Sequence, residues 1–239
     1  MLHRRVILKF SGEILRSGDG SDAIDHSTVE RLCNTLKELH GSGLEIGLVL
    51  GGGNIFRGLP ASVASKCDRT RGDYMGMLAT VINCLAVQDG LERLSVPTRV
   101  YSALPMPSVC DTFFVRDALR DIGEGKVLLL AGGTGSAFFS TDSAAALRAN
   151  ELKADIVVKA TKVNGVYDKD PKKFADAKKF DTISFADVLK NRLNVMDSTA
   201  FSLCMDNNIP VLILDVVGDI NNVKRALLGE KIGTLVSNF

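Results

Sequence analysis

Residues 46–50 read Ile-Gly-Leu-Val-Leu, and residues 51–54 continue Gly-Gly-Gly-Asn. A short continuous apolar run, in place of alternating apolar and polar residues, indicates a strand that is buried on both faces. Glycine lacks a Cβ atom and permits positive φ, so the glycines that follow predict a tight turn. A buried strand that ends in a glycine turn is typical of a parallel sheet covered by helices.

Three other segments repeat this pattern of an apolar run followed by small or polar residues. They are Val6–Phe10 leading into Ser11–Glu13, Val127–Ala131 leading into Gly132–Ser136, and Ile156–Ala160 leading into Thr161–Gly165. Thr98–Ser102 and Val211–Leu214 are two further predicted strands. Because ligands of open parallel sheets bind at the carboxyl ends of the strands, we expect the four segments to face a common site. The alternative for each glycine segment is a tight turn with no ligand.

The segments between the strands have helical patterns. Ser27 and Glu30 form a capping box that predicts a helix with Ser27 as its N-cap. Asp73 to Leu94 and Asp142 to Leu152 are further predicted helices, and residues 162–179 are predicted to be a long excursion, either solvated or ligand-binding. The alternation of strands and helices predicts an α/β fold with a mostly parallel sheet between helix layers. The length fits a single domain over residues 1–239.

Composition excludes several function classes. The net charge is +1, so no overall field attracts nucleic acid or a membrane surface. The sequence contains no apolar stretch near the ~20 residues of a spanning helix and no N-terminal signal pattern, so we expect a cytoplasmic protein. The five cysteines lack a C-x-x-C pair and are expected to be reduced and mostly buried, and the three histidines lack metal-site spacing.

The glycine segments predict phosphate binding without a common nucleotide fingerprint. Neither G-x-x-x-x-G-K-[ST] nor G-x-G-x-x-G in its usual context occurs. Backbone N–H groups of glycine turns and of helix N-termini can still hold phosphate, and Gly51–Asn54 and Gly132–Ser136 suit that role. We therefore expect an enzyme of phosphoryl transfer that does not use a Walker loop.

Lysines in the predicted strands supply positive charge for such a site. Lys9 lies in an apolar strand, and Lys159 and Lys162 flank the end of another. A lysine buried in a strand costs several kcal/mol unless it meets an anion. Lys9 therefore either pairs with a structural carboxylate or contacts the transferring phosphoryl group. Asp142 either N-caps the helix that follows, or orients the lysines or Mg²⁺.

Together these segments resemble the bacterial uridylate kinases of the amino acid kinase superfamily. The resemblance covers the chain in order, and its most specific parts are Gly-Asp-x-Met-Gly-Met-Leu-Ala-Thr from Gly72 and Phe-Phe-x-Thr-Asp from Phe138. The other parts are Lys9–Glu13, Gly51–Gly58, Lys159–Tyr167, Asp170-Pro171 and Val195–Asp197. The resemblance implies a three-layer αβα sandwich and transfer of the γ-phosphoryl group of ATP to UMP with Mg²⁺, in pyrimidine nucleotide synthesis. It also implies a homohexamer.

The resemblance implies a role for particular residues. Lys9, Asp142 and Lys162 would be catalytic, with Asp142 holding the lysines or the metal. The ATP side would use Lys9, Phe10, Ser11, Gly12, Gly53, Arg57, Thr161, Tyr167 and Asp170. The UMP side would use Gly52, Asp73, Thr134, Gly135, Ser136, Ala137, Phe138, Phe139, Ser140 and Thr141, with Asp73 accepting hydrogen bonds from ribose hydroxyls.

Three positions depart from the family pattern. Ala137 stands where the family usually has proline, and one extra residue lies between Arg57 and Asp73. The resemblance implies allosteric regulation, which the family ties to the segment at residues 17–25. Because this segment differs from the family pattern, the sequence does not decide whether GTP activates or UTP inhibits this chain. Two other functions stay open at the level of sequence. One is a kinase of the same superfamily that acts on carbamate or an amino-acid carboxylate, and the other is a nucleotide or oxyanion binder without catalysis.

Overall fold

A central sheet of mostly parallel strands organises the fold. The structure is a computed structural model that describes residues 3–56, 68–171, 173–193 and 196–238. Over these residues, nine strands form one sheet in the order β4-β3-β5-β2-β1-β6-β10-β11-β9, and only the β10–β11 pairing is antiparallel. The strands are β1 Arg5–Phe10, β2 Glu45–Leu50, β3 Thr98–Ser102, β4 Asp111–Thr112, β5 Val127–Ala131, β6 Ile156–Thr161, β7 Val166–Tyr167, β8 Lys179–Phe180, β9 Thr182–Ser184, β10 Val211–Asp215 and β11 Thr234–Ser237.

Helices cover both faces of this sheet. They are α1 His26–Gly41, α2 Arg69–Arg93, α3 Val115–Gly123, α4 Thr141–Glu151, α5 Phe185–Lys190, α6 Ser198–Asp206 and α7 Asn222–Leu227, with a 3₁₀ turn at Gly12–Leu15. The apolar core on one face packs α1, α2 and α7 against the sheet, and the core on the other face packs α3, α4, α5 and α6. The predicted three-layer αβα fold with a mostly parallel sheet is therefore confirmed.

Side chains along β1 point alternately to the two faces of the sheet, so they pack alternately in the two cores. Val6, Leu8 and Phe10 join the core with α1 and α2, whereas Ile7 joins the core with α4. Successive side chains of a strand point to opposite faces, so Lys9 lies on the same face as Ile7 and turns toward α4.

All six predicted strands are present, two of them with the predicted bounds, but two predicted helix caps were wrong. The N-cap of α1 is Asp25, whose carboxylate accepts from the Thr28 N–H, and Ser27 donates its hydroxyl to that same carboxylate. The N-cap of α4 is Ser140, whose Oγ accepts from the N–H groups of Asp142 and Ser143. The Asp142 carboxylate is consequently left for other contacts.

The excursion after β6, the cysteines and the helix lengths were also predicted from the sequence. Within residues 162–179 the excursion is present, and it pairs β7 with β8 as a separate antiparallel ribbon. Cys33, Cys84 and Cys204 are buried free thiols and Cys110 is half-buried, whereas Cys67 lies outside the described residues. No helix in the described part of the chain is both long and apolar enough to cross a bilayer. The single-domain assignment stays a prediction.

Candidate active site

The four polar segments identified in the sequence follow four neighbouring strands. The strands β5, β2, β1 and β6 lie side by side and parallel, so their carboxyl ends share one edge of the sheet. The β6 strand ends at Thr161, one residue later than predicted. The predicted common edge is therefore present, and the site can be described from it.

A carboxylate between two lysines forms the floor of this edge. Lys9 on β1 and Lys159 on β6 are register partners, so both side chains lie on the face that α4 covers. Lys9 Nζ lies 2.7 Å from Asp142 Oδ1. Lys159 Nζ donates to Asp142 Oδ2 at 2.6 Å. All three side chains are nearly buried, and Asp142 is in the first turn of α4.

The pKa values of this cluster reflect burial opposed by charge. Burial favours the neutral form of Asp142, but the attraction of Lys9 and Lys159 outweighs it and leaves the pKa of this carboxyl below its ordinary value. The pKa of Lys159 is also lowered, because loss of hydration outweighs its attraction to Asp142. Two ammonium groups around one carboxylate give the floor a net positive charge, which suits a phosphate.

A cavity with a volume of about 280 Å³ lies above this floor, and we call it the ATP cavity because several residues predicted for the ATP side line it. It is lined by Lys9, Phe10, Ser11, Glu13, Ile14, Lys159, Ala160, Thr161, Lys162, Val216 and Val217. Five of the predicted ATP-side or catalytic residues (Lys9, Phe10, Ser11, Thr161 and Lys162) are thus brought together. Val216 and Val217 add an apolar wall that sequence reasoning missed, because nothing distinguishes them from the end of the predicted strand before them.

Lys162 has a different position from the other two lysines. Its ammonium pairs with Glu13 Oε2 at 2.5 Å, and its side chain is 65% exposed. The expectation that Asp142 holds Lys9 and Lys162 was therefore wrong in part, since Asp142 holds Lys9 and Lys159. The signal for Lys159 was the same as for Lys9, namely a lysine within an apolar strand.

The turn at Gly51–Asn54 lies against the segment after β1. A Cβ on Gly12 would clash with the carbonyl oxygen of Gly51 and with the side chain of Asn54. Asn54 in turn exchanges two amide hydrogen bonds with Asn83 of α2, and Asn83 also donates to the Gly51 carbonyl at 2.8 Å. Close approach of backbone explains the glycine here, whereas Gly132, Gly133 and Gly135 in the second loop have positive φ.

A smaller cavity lies between α2 and the loop before α4, and we call it the UMP cavity because several residues predicted for the UMP side line it. Its volume is about 140 Å³, and it is lined by Gly52, Phe56, Gly72, Asp73, Gly76, Met77, Thr80, Gly133, Phe139, Ser140 and Thr141. Gly52, Asp73, Phe139, Ser140 and Thr141 were predicted for the UMP side. Thr134, Gly135, Ser136, Ala137 and Phe138 complete the same loop, in which the Phe138 N–H donates to Asp73 Oδ2 at 2.8 Å.

The other predicted ATP-side residues lie apart from the lining of the ATP cavity. Gly12 and Gly53 belong to the two turns beside this cavity that pack against each other, after β1 and after β2. Tyr167 and Asp170 belong to the excursion after β6, where the Tyr167 hydroxyl donates to Asn164 Oδ1 at 2.6 Å. Arg57 lies outside the described residues. The roles of these residues stay predictions.

A family comparison identifies the architecture that holds these two cavities. The model of the amino acid kinase family matches residues 4–215. This chain belongs to the amino acid kinase family. The predicted membership of that superfamily is confirmed.

Solved structures of this amino acid kinase fold agree over the whole chain. A UMP kinase from Ureaplasma parvum is 35% identical, with full coverage of both chains and a TM-score of 0.94. A UMP kinase from Bacillus anthracis is 30% identical, with 99% of this chain and 96% of that chain covered and a TM-score of 0.94. A uridylate kinase from Archaeoglobus fulgidus, at 24% identity with 97% and 99% covered and a TM-score of 0.73, shares the fold.

The described residues offer little to hold Mg²⁺ without a ligand. No group of three or more histidine, cysteine, aspartate or glutamate side chains that could hold a metal occurs among them. Both oxygens of Asp142, the predicted metal ligand, already contact ammonium groups. This arrangement fits Mg²⁺ that is bound mainly by phosphates, as is usual for this ion.

Proposed function

We propose that this chain is a UMP kinase, which transfers the γ-phosphoryl group of ATP to UMP and gives ADP and UDP. The observation that carries the proposal is the junction of the two cavities. Thr141 lines the UMP cavity, and the next residue, Asp142, holds the two lysines that line the ATP cavity. The full-length likeness to solved UMP kinases supports uridylate as the acceptor.

The chemistry follows from this placement. An oxygen of the UMP phosphate attacks the γ-phosphorus of ATP, the bond from that phosphorus to the β–γ bridging oxygen breaks, and the electron pair leaves with ADP. The attacking phosphate is already anionic, so no general base is required. Catalysis then consists of positioning and electrostatic stabilisation.

Each group of the floor has a part in this scheme. Lys9 and Lys159 stabilise the charge on the transferring group, and the N-terminus of α4 adds its positive dipole end beside Thr141. Asp142 fixes the two ammonium groups in place. Lys162, at the mouth of the ATP cavity, contacts phosphate oxygens after leaving Glu13. Asp142 is the residue of the floor that would hold Mg²⁺, and the ion would supply positive charge that neutralises part of the phosphate charge of ATP.

A homohexamer in the cytoplasm is part of the same proposal. Helix α2 has an exposed apolar stripe formed by Tyr74, Met75, Leu78 and Ile82, residues that recur at helical spacing. An exposed apolar stripe of this kind is typical of an interface, so it supports self-association through α2. Control by effectors through residues 17–25 stays a prediction.

A coupled assay of ADP release tests the proposed activity. The purified chain is given ATP and Mg²⁺ with UMP, CMP or glutamate as the acceptor. We expect turnover with UMP well above that with CMP, and none with glutamate. Turnover with an acid acceptor but not with UMP would support a different kinase of the superfamily. Binding of ATP without turnover of any acceptor would support a non-catalytic binder.

A further inference from the structure

Arg69 makes two contacts around the UMP cavity that none of the assigned roles explains. It is the first residue of α2, one turn before Asp73. Its Nε lies 2.9 Å from both Oδ1 and Oδ2 of Asp73. The Asp73 side chain is largely buried, whereas that of Arg69 is partly exposed. The guanidinium therefore fixes the orientation of the carboxylate from the solvent side.

The second contact joins Arg69 to the loop opposite α2. Its guanidinium carbon lies 5.5 Å from the centre of the Phe138 ring, within the range of a cation–π interaction. Phe138 is 68% exposed and has a φ of 73°, which is uncommon for a residue of this size. Its N–H donates to the same carboxylate that Arg69 contacts. Arg69, Asp73 and Phe138 thus form a closed triangle between the helix and the loop.

This triangle bears on how UMP enters. The cavity of about 140 Å³ is smaller than the ~300 Å³ at the lower end of ligand pockets, and the loop that carries Phe138 forms one of its walls. The Phe138 N–H takes one of the roughly four lone-pair sites of the Asp73 carboxylate, and a ribose hydroxyl can use another site or replace this N–H. Arg69 contacts Asp73 through Nε alone, so this contact can persist when the Phe138 N–H leaves.

We propose that Arg69 is a positioning residue of the UMP site, which holds the Asp73 carboxylate in one orientation and provides the loop with a stacking surface near Phe138. This inference rests on the proposed function, since it assigns a role in binding the ribose of UMP. Arginine suits this role better than lysine, because its planar group can stack on a ring while its Nε donates to a carboxylate.

The test compares Arg69→Gln and Arg69→Lys with the wild-type enzyme in steady-state kinetics. We expect the KM for UMP to rise about tenfold or more in Arg69→Gln and less in Arg69→Lys. The KM for ATP and kcat should change less than threefold, because neither contact reaches the lysine floor. Arg71→Gln is the matched control, since Arg71 is exposed on the same turn and its guanidinium makes no hydrogen bond or ion pair with the described residues.

A double-mutant cycle with Asp73→Asn then separates positioning from a general effect on folding. If Arg69 acts through Asp73, Arg69→Gln adds little to the UMP KM of Asp73→Asn. Additive losses, an unchanged UMP KM, or a loss in kcat alone would each overturn the proposal. If Arg69→Gln does not fold, the same double-mutant cycle is measured with Arg69→Lys in its place. Failure of the wild-type chain to turn over UMP would instead overturn the proposed function.

Discussion

Lys9 and Lys159 are register partners on neighbouring parallel strands, and their ammonium groups contact opposite oxygens of one carboxylate, that of Asp142. Neighbouring strands lie about 4.8 Å apart, so two lysines in register repel each other unless an anion lies between them. Asp142 supplies that anion from α4. The structural and the catalytic explanations of Lys9 are therefore compatible, because Lys9 pairs with Asp142 and also lines the ATP cavity.

Removing either lysine of the floor should lower the rate of transfer. We expect Lys9→Ala and Lys159→Ala each to reduce kcat by about 10²-fold or more, similar to the loss of other contacts to a developing charge. Lys162→Ala should reduce kcat less, because Lys162 is exposed and pairs with Glu13 at the mouth of the cavity. Initial-rate kinetics with saturating ATP and UMP measure these effects.

Lys153→Ala is the control for this series, since Lys153 is exposed and follows the end of α4. The double variant of Lys9 and Lys159 should lose less than the product of the single losses, because both lysines act through one carboxylate and one phosphoryl group. An unchanged kcat in correctly folded Lys159→Ala would contradict its role. A larger loss for Lys162 than for Lys159 would place the transferring group at the mouth of the cavity.

Two glycines after β1 allow a matched test of the turn packing. In Gly12→Ala the new methyl group would clash with the Gly51 carbonyl, which is backbone and cannot move aside cheaply. We expect a loss of roughly 1–3 kcal/mol in the free energy of unfolding, together with a higher KM for ATP. A Cβ on Gly18 would meet no atom within 4 Å, so Gly18→Ala should change the free energy of unfolding by less than about 0.5 kcal/mol. Equal effects of the two changes in urea unfolding would refute this explanation.

The sequence was sufficient to predict the central strands, because burial on both faces gives most of them a continuous apolar run. Val127–Ala131 has the predicted bounds, since its continuous apolar run ends where the chain leaves the core. Thr98–Ser102 also has the predicted bounds, although its sequence mixes polar and apolar residues. The edge strands β4 and β9 and the neighbouring β11 were missed because they have only two to four residues and contain polar side chains. The predicted N-caps Ser27 and Asp142 were wrong because a polar residue two positions earlier caps each helix. The side chains of Asp25 and Ser140 accept the hydrogen bonds from the N–H groups of the first turn.

The sequence predicted which residues belong to the site, but it did not predict which of them contact one another. Lys9 and Asp142 were recognised from residue type and from their positions relative to strands and a helix. The partner of Asp142 depends on the register of β1 with β6, which are about 150 residues apart in the chain. Register between distant strands follows from packing in three dimensions, so the choice of Lys159 over Lys162 could not be derived from the sequence.

The buried amide pair of Asn54 and Asn83 should contribute to both stability and ATP binding. Asn83 is fully buried and donates to Gly51 as well as to Asn54. Asn83→Ala would leave those two acceptors without their partner, at a cost of about 1–3 kcal/mol in the free energy of unfolding. Gln88→Ala, an exposed amide on the same helix that pairs with Glu92, is the control and should be near neutral. A cost below about 0.5 kcal/mol for Asn83→Ala would indicate that water replaces the amide.

The stability of the protein should depend on pH through Asp121, a fully buried carboxylate that lines neither cavity. Its Oδ1 accepts from Lys126 Nζ at 2.9 Å and its Oδ2 from the Tyr101 hydroxyl at 2.9 Å. Burial favours the neutral acid, but these hydrogen bonds and the nearby cations outweigh it, so the pKa of Asp121 lies below its ordinary value. A depressed pKa in the folded state stabilises the protein above the pKa of the unfolded state, near 4, and this contribution disappears as pH falls through the folded-state pKa.

Asp121→Asn removes this charge with little change in shape, so the wild type and the variant should differ most at neutral pH. We expect the variant to be about 2 kcal/mol less stable at pH 7, in line with the loss of hydrogen bonds to a charged group. The difference should hold down to about pH 5 and shrink toward pH 3, as the wild-type carboxyl takes up its proton. Urea unfolding at these three pH values measures it. Asp142 and Asp155 also have lowered pKa values, but they are common to both proteins and cancel in the difference. A difference that stays constant from pH 7 to pH 3 would mean that the negative charge of Asp121 does not stabilise the fold, and that its hydrogen bonds act equally well from the neutral acid.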